Sequence, residues 1–182
     1  MDICYEYMVR KKNTPLDIIK IVLALSVATV LTSAIILLFF MGENLLGFNL
    51  LIILFLWWGA IWVIKSTRVE YEYTITNHEM DIDVIRGKSR RKRMTTIDFK
   101  KIEYFGNIND EKTKENMKNA GSISKEYYFV GDRESQNIYV TDVISRKDAT
   151  KVRVYIEPNE KLLEYIRIAN PKAVSVPEGE KE

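Results

Sequence analysis

Two long stretches without any polar rhythm interrupt a chain that elsewhere alternates. Residues 21–42 contain no ionisable side chain, residues 44–64 contain none either, and Glu43 is the one charge between Lys20 and Lys65. Each run matches the roughly 20 residues that, at about 1.5 Å per residue, cross a hydrocarbon core of about 30 Å. The pattern predicts a two-helix transmembrane hairpin over 15–65, with spans near 18–42 and 45–65. Thr14-Pro15 supplies its start signal, a capping hydroxyl followed by a first-turn proline. The first run exceeds the apolar core of a secretory signal, shows no small-x-small cleavage site before Gly42, and is followed at once by a second span. The expectation is therefore an uncleaved hairpin.

After Lys65 the period becomes two. Val69, Tyr71, Tyr73 and Ile75 alternate with Glu70, Glu72, Thr74 and Thr76, as in a half-buried strand. Asn77-His78 makes a turn, and Met80, Ile82 and Val84 alternate with Asp81 and Asp83 in a second strand. Residues 86–89 form a hairpin turn in which Gly87 is free to take positive φ. A third strand runs from about Arg91 to Thr96, and Ile97, Phe99, Ile102 and Phe105 return to the core. Residues 107–125 break the alternation; they read as a functional or partly disordered loop, with 110–119 able to form a short exposed helix. Strands resume over 127–130, 138–144 and 151–156. Pro158-Asn159 opens a helix with Leu162, Leu163, Ile166 and Ala169 on one face, and Asn170-Pro171 stops it. Ahead of the spans two readings stay open: Ile3, Tyr5, Tyr7 and Val9 alternate like a strand, while Ile3, Tyr7 and Met8 mark one side of an interfacial helix.

The expected organisation is a cytoplasmic segment 1–14, the hairpin 15–65, a cytoplasmic domain 66–171 and a flexible acidic tail 172–182. The fold class is α+β. About six or seven short antiparallel strands form a strongly bent sheet, and the C-terminal amphipathic helix plugs its open end. Within the spans, Ala24 with Ala28 and Thr29 with Ser33 have the four-residue spacing that lets helices approach. Trp62 suits the inner interface, and Trp57 and Trp58 are expected against the first helix or a partner.

Charge matters here through its placement, since 27 Lys and Arg against 25 Asp and Glu leave a net charge of only +2. Arg10, Lys11, Lys12 and Lys20 precede the first span, Lys65 and Arg68 follow the second, and residues 42–44 carry no positive charge. The positive-inside rule then predicts a multi-pass protein of the cell (inner or plasma) membrane with both termini cytoplasmic. Cys4 is the sole cysteine, which excludes an intrachain disulfide and an all-cysteine metal site.

Arg86, Lys88, Arg90, Arg91, Lys92 and Arg93 place six positive charges within eight residues. A strand of eight residues leaving the membrane near Arg68 travels about 25 Å, and its partner returns as far, which brings the 86–89 turn back toward the headgroups. Anionic lipids attract each nearby basic residue by about 1 kcal/mol. Two spans already anchor the chain, so the cluster is free to fix the domain's tilt, select an acidic lipid or bind an acidic partner. The bland alternative is a solvated hairpin with cross-strand pairs to Glu79, Asp81 and Asp83, serving topology alone. Nucleic acid is not an expected partner, because no recognition motif is visible and the rest of the domain is not basic. Gly87-Lys88-Ser89 is not a phosphate loop either: Ile82 stands where the earlier glycine is required.

Catalysis finds no constellation. His78 is the only histidine, no nucleophile–base pairing follows from spacing, and Asp81 and Asp83 face solvent or the arginines. The reading is a non-enzyme with no catalytic, cofactor-binding or metal residues and no cofactor.

The segment Tyr71-Glu72-Tyr73-Thr74-Ile75-Thr76-Asn77-His78-Glu79-Met80, the Gly87 turn, the basic stretch and Thr96-Ile97-Asp98-Phe99-Lys100-Lys101-Ile102 resemble the bacterial pleckstrin-homology-like membrane proteins. The whole chain is also similar to a small bacterial family of two-span proteins. The resemblance is best over 65–105 and implies a PH-like split β-barrel behind the transmembrane hairpin, with no catalytic residue to carry over. It leaves two functions to weigh. One is a non-enzymatic scaffold or interaction module bound to a membrane-protein partner in a complex. The other is an anionic-lipid-sensing or membrane-organising module using Arg86, Lys88, Arg90, Arg91, Lys92 and Arg93.

Overall fold

The computed structural model describes residues 4–40, 46–146 and 149–174. The connection at 42–44 and the acidic end of the tail lie outside the described residues. The chain divides into two units: Lys12–Val69 gathers with Arg86–Ser89, and the remaining strands and helices form the other.

The first unit is a helix pair, α1 (Pro15–Phe40) and α2 (Leu46–Thr67). Thr14 and Asp17 cap α1 reciprocally: the Asp17 N–H donates to Thr14 Oγ1 (3.4 Å), and the Thr14 N–H donates to the Asp17 carboxylate (3.1 Å). Both helices are long and apolar enough to cross a membrane. Among the described residues, Ala28 and Ala60 are the buried apolar residues of the pair, consistent with small side chains admitting a neighbouring helix. Thr29 and Ser33 are exposed instead, and their hydroxyls bond back to the Leu25 and Thr29 carbonyls. Trp57 and Trp58, expected against α1 or a partner, retain 39% and 62% exposure, and the nearest ring to Trp58 is Phe55 of its own helix.

The second unit is α+β, with eight strands in two four-stranded sheets. The first sheet has the order β1 (Cys4–Arg10), β2 (Val69–Thr76), β3 (Glu79–Arg86), β4 (Arg90–Asp98). The strand reading of the N-terminal segment holds and the helical one fails. The antiparallel register sets Tyr7 opposite Tyr73 and Val9 opposite Tyr71, so the side chains that alternate in β1 meet the buried face of β2.

The second sheet takes β5 (Gly106–Asn107), β7 (Tyr139–Ile144), β8 (Lys151–Ile156) and β6 (Lys125–Phe129), in that order. Here the expectation of one bent antiparallel sheet closing into a split barrel is corrected. No ladder joins the two sheets among the described residues, and β6 runs parallel to β8. β7 already occupies one side of β8 and pairs with β5 on its other side, leaving β6 the far edge of β8.

Side chains join what backbone ladders do not. Tyr73, fully buried on β2, donates its hydroxyl to the Phe129 carbonyl at the end of β6 and accepts the Glu157 N–H (3.3 Å) just after β8. The Tyr71 ring meets Phe129 edge-on at 5.8 Å. The helix α4 (Glu160–Ala169) buries Leu162, Leu163 and Ile166, as its spacing predicts. Its cap is Asn159, whose Oδ1 accepts the Leu162 N–H (2.9 Å) while its amide donates to Tyr5 of β1 (2.8 Å).

Residues 107–125 are not a loose loop: the short helix expected over 110–119 forms, packed on one side rather than wholly exposed. The helix α3 (Glu111–Asn119) buries Thr113, and Met117 and Ile108 pack on Tyr104, Val130, Ile138, Val140 and Tyr155. Beneath it, Arg153 of β8 grips Asp142 of β7 with two bonds (2.8 and 3.0 Å) and donates to the Met117 carbonyl (2.9 Å). The sparse apolar content of the segment suggested a loop because its few contacts fall on one short face.

Candidate functional site

The basic hairpin is built from its backbone outward. Gly87 (φ +60°) and Lys88 (φ +61°) hold consecutive positive φ values, the geometry of a primed hairpin turn. Gly87 is required twice over, because a Cβ there would also stand 3.2 Å from the Lys65 carbonyl oxygen at the end of α2. Its N–H donates to the Arg68 carbonyl (2.9 Å). The turn is thus hydrogen-bonded to the chain leaving α2, and Arg86 and Lys88 join Lys65 and Arg68 at that helix end. Cations there also complement the unsatisfied carbonyls of a helix C-terminus.

Beyond the turn the six basic residues separate into two groups. All six are exposed. Arg91 pairs with Glu72 and with Asp83 (3.2 Å), and Arg93 pairs with Asp81 (2.9 Å) and Asp83 (3.3 Å). Arg86, Lys88, Arg90 and Lys92 form no ion pair among the described residues. Asp81 and Asp83 take the cross-strand role expected of them, but Glu79 does not: it meets Arg146 (2.7 Å) from beyond β7. Glu72 is the member that sequence reasoning missed. Its signal was its polar position in β2, which puts it on the outward face beside Asp83 once the strands pair.

Alternation fails within β4. Arg91 and Arg93 share the parity of the buried Ile97, yet they pair with outward carboxylates, so the strand changes face between Arg93 and Ile97. Thr96, of the opposite parity, confirms the change by donating to the same Asp81 (2.6 Å) that holds Arg93.

A second concavity lies within the domain, a groove of about 430 Å³ lined by Thr96, Asp98, Lys101, Asp142, Arg146 and Lys151 among others. Its charges are matched one to one: Lys101 with Asp98 (3.2 Å), Arg146 with Glu79, Lys151 with Glu103 (3.8 Å) and Asp142 with Arg153. Asp98 is held below the usual carboxylate range. Its burial acts the other way but is outweighed by hydrogen bonds from Lys101 and the Lys100 backbone and by the charges of Lys101 and His78. His78, read as a turn residue, does sit in the β2–β3 turn, where its carbonyl accepts the Phe99 N–H (2.8 Å). That bond brings the end of β4 against the turn.

No curated protein and no solved structure matches the chain. A family described as bacterial PH-like domain (DUF6106) matches residues 1–176, which takes in β1, both apolar helices, both sheets and α4. The two sheets, the C-terminal helix and this match together place the chain in the bacterial PH-like domain family.

Proposed function

We propose that this is a two-span protein of the cell membrane with both termini cytoplasmic, whose PH-like domain is a non-enzymatic interaction module in a membrane complex. In this reading the basic turn is its contact with anionic headgroups. The observation that carries it is the bond from the Gly87 N–H to the Arg68 carbonyl, which adds Arg86 and Lys88 to the cations already at the end of α2. If α2 spans the bilayer, its basic end is the headgroup level, where each cation gains about 1 kcal/mol from an anionic leaflet. Attachment needs none of this energy. The cations instead give the protein a preference for anionic surroundings.

The test uses the full chain in bilayer nanodiscs of neutral or anionic lipid. Hydrogen exchange of residues 86–93 is expected to slow in anionic discs and to lose that difference when Arg86, Lys88 and Arg90 are changed to Glu. Equal exchange in both lipids would remove the headgroup contact from the reading. Crosslinking in native membranes tests the interaction module, and recovery of the chain alone, as a monomer, would count against it.

A further inference from the structure

The fold brings Asp98 to two side chains, His78 and Glu79, that the sequence places about twenty residues before it. His78 and Glu79 lie at the β2–β3 turn and Asp98 ends β4, and one ligand atom from each falls within 4.8 Å of the others. The Phe99 N–H bond to the His78 carbonyl (2.8 Å) fixes the two segments against each other, so this meeting is set by the backbone. All three side chains are half-buried and lie beside the groove that Asp98 lines, which leaves a side open to water. We infer that His78, Glu79 and Asp98 form a binding site for a divalent transition-metal ion of the zinc class.

The donor set selects the ion. One imidazole nitrogen with two carboxylate oxygens suits Zn²⁺ and its neighbours, whereas Mg²⁺ and Ca²⁺ prefer oxygen alone. Zinc ligands at about 2.0–2.2 Å from the ion stand about 3.3–3.6 Å apart in a tetrahedron. The three atoms therefore need only side-chain rotations of about an ångström to close on an ion, with a fourth position left for water. Two cations now hold the carboxylates in place of a metal: Arg146 on Glu79 (2.7 Å) and Lys101 on Asp98 (3.2 Å). Arg146 is thus a competitor of the ion, and metal binding releases it from Glu79. This site lies at the other end of β3 from the basic turn and does not depend on the headgroup reading.

The competition makes the inference testable in both directions. Tag-free full-length protein carrying Cys4→Ser, to remove the exposed thiol, is titrated with Zn²⁺ in detergent against a chromophoric chelator. One ion per chain is expected, undisturbed by excess Mg²⁺. His78→Ala and Asp98→Asn weaken binding by at least the 10–100-fold typical of changes one shell further out. Arg146→Ala strengthens it by up to about fivefold, the worth of an exposed ion pair, and misfolding does not produce a gain. Absence of saturable binding, a His78→Ala titration matching the parent, or an Arg146→Ala variant with no gain in affinity would each overturn the site.

Discussion

Each sheet carries arginine on one strand facing aspartate on the next, but the arginines differ in their exposure. On β7 and β8, Asp142 and Arg153 face each other in register, with side chains 2% and 9% exposed. On β3 and β4, Arg91 and Arg93 reach Asp83 and Asp81 while remaining 53% and 61% exposed themselves. The difference is α3, which covers the second sheet's outer face and takes the Arg153 guanidinium as a donor to its last turn. Among the described residues no helix covers the carboxylate ladder on the first sheet. The same pairing chemistry is therefore closed to water on both sides in one place and open on the arginine side in the other, and desolvation sets what losing a partner costs.

The sharpest way to break this comparison is Arg153→Met. It leaves the Asp142 carboxylate buried without its partner and removes the donor to the Met117 carbonyl. A loss of about 3–5 kcal/mol is expected from chemical denaturation of the full chain in detergent, with faster hydrogen exchange in α3. Adding Asp142→Leu should recover much of it, since an apolar pair of similar volume needs no compensation. If the single change proved as mild as one in the exposed ladder, burial would not be what separates the two sheets.

Next in size is the seam between the sheets. Tyr73→Phe leaves the Phe129 carbonyl and the Glu157 N–H without the hydroxyl they share, a loss of about 1–3 kcal/mol for unsatisfied buried groups. The same hydroxyl predicts an alkaline limit. Burial, followed by the charge of Glu157, pushes the Tyr73 hydroxyl far above its ordinary range, and burial with the charge of Asp142 does the same to Tyr104. Neutral tyrosine is thus favoured by folding, so this stability is complete below the unfolded value of about 10 and drains away as pH rises past it. Denaturation midpoints should fall above that pH, and less steeply in Tyr73→Phe.

The contrast between the sheets also explains what the sequence could show. β2 and β3 were readable because each buries one face, so Tyr73 and Ile75, then Met80, Ile82 and Val84, recur at every second position. The α4 face and its Asn159 cap were readable for the same reason, at helical spacing. The second sheet hid its order. β7 is buried on both faces, from Tyr139 to Val143, so alternation vanishes, and no local signal says that β6 must run along β8. The candidate sites divide the same way. The basic run and its glycine are local and were visible, whereas Glu72 facing Arg91, or Asp98 beside His78, needs strand pairing that only the fold supplies.

At the end of the first sheet the firm constraint sits in the backbone. Gly87→Ala places a Cβ at φ +60° and within 3.2 Å of the Lys65 carbonyl oxygen. The left-handed conformation alone costs an L-residue about 1–2 kcal/mol, and the turn should loosen from the Arg68 carbonyl. Faster exchange at the Gly87 amide would show it. Lys88 holds φ +61° without being glycine, so Lys88→Gly is expected to hold stability or raise it slightly while removing one cation. That variant separates turn geometry from turn charge in the nanodisc comparison.

The smallest effect is expected in the ladder itself. Arg93 is 61% exposed and lies at the β4 edge, where Thr96 still satisfies Asp81 after it is removed. Arg93→Ala should cost about 0.2–1 kcal/mol, read from the denaturation midpoint, and less at high salt. Arg91→Ala should exceed it, because Glu72 and Asp83 are both buried and Arg91 bridges them. A graded series, with Arg93 below Arg91 and Arg91 below Arg153, would establish that depth of burial sets the worth of each pair. If Arg93 matched Arg153, the open ladder would have to be structural in its own right, and its arginines would not be free to exchange their carboxylates for an acidic partner.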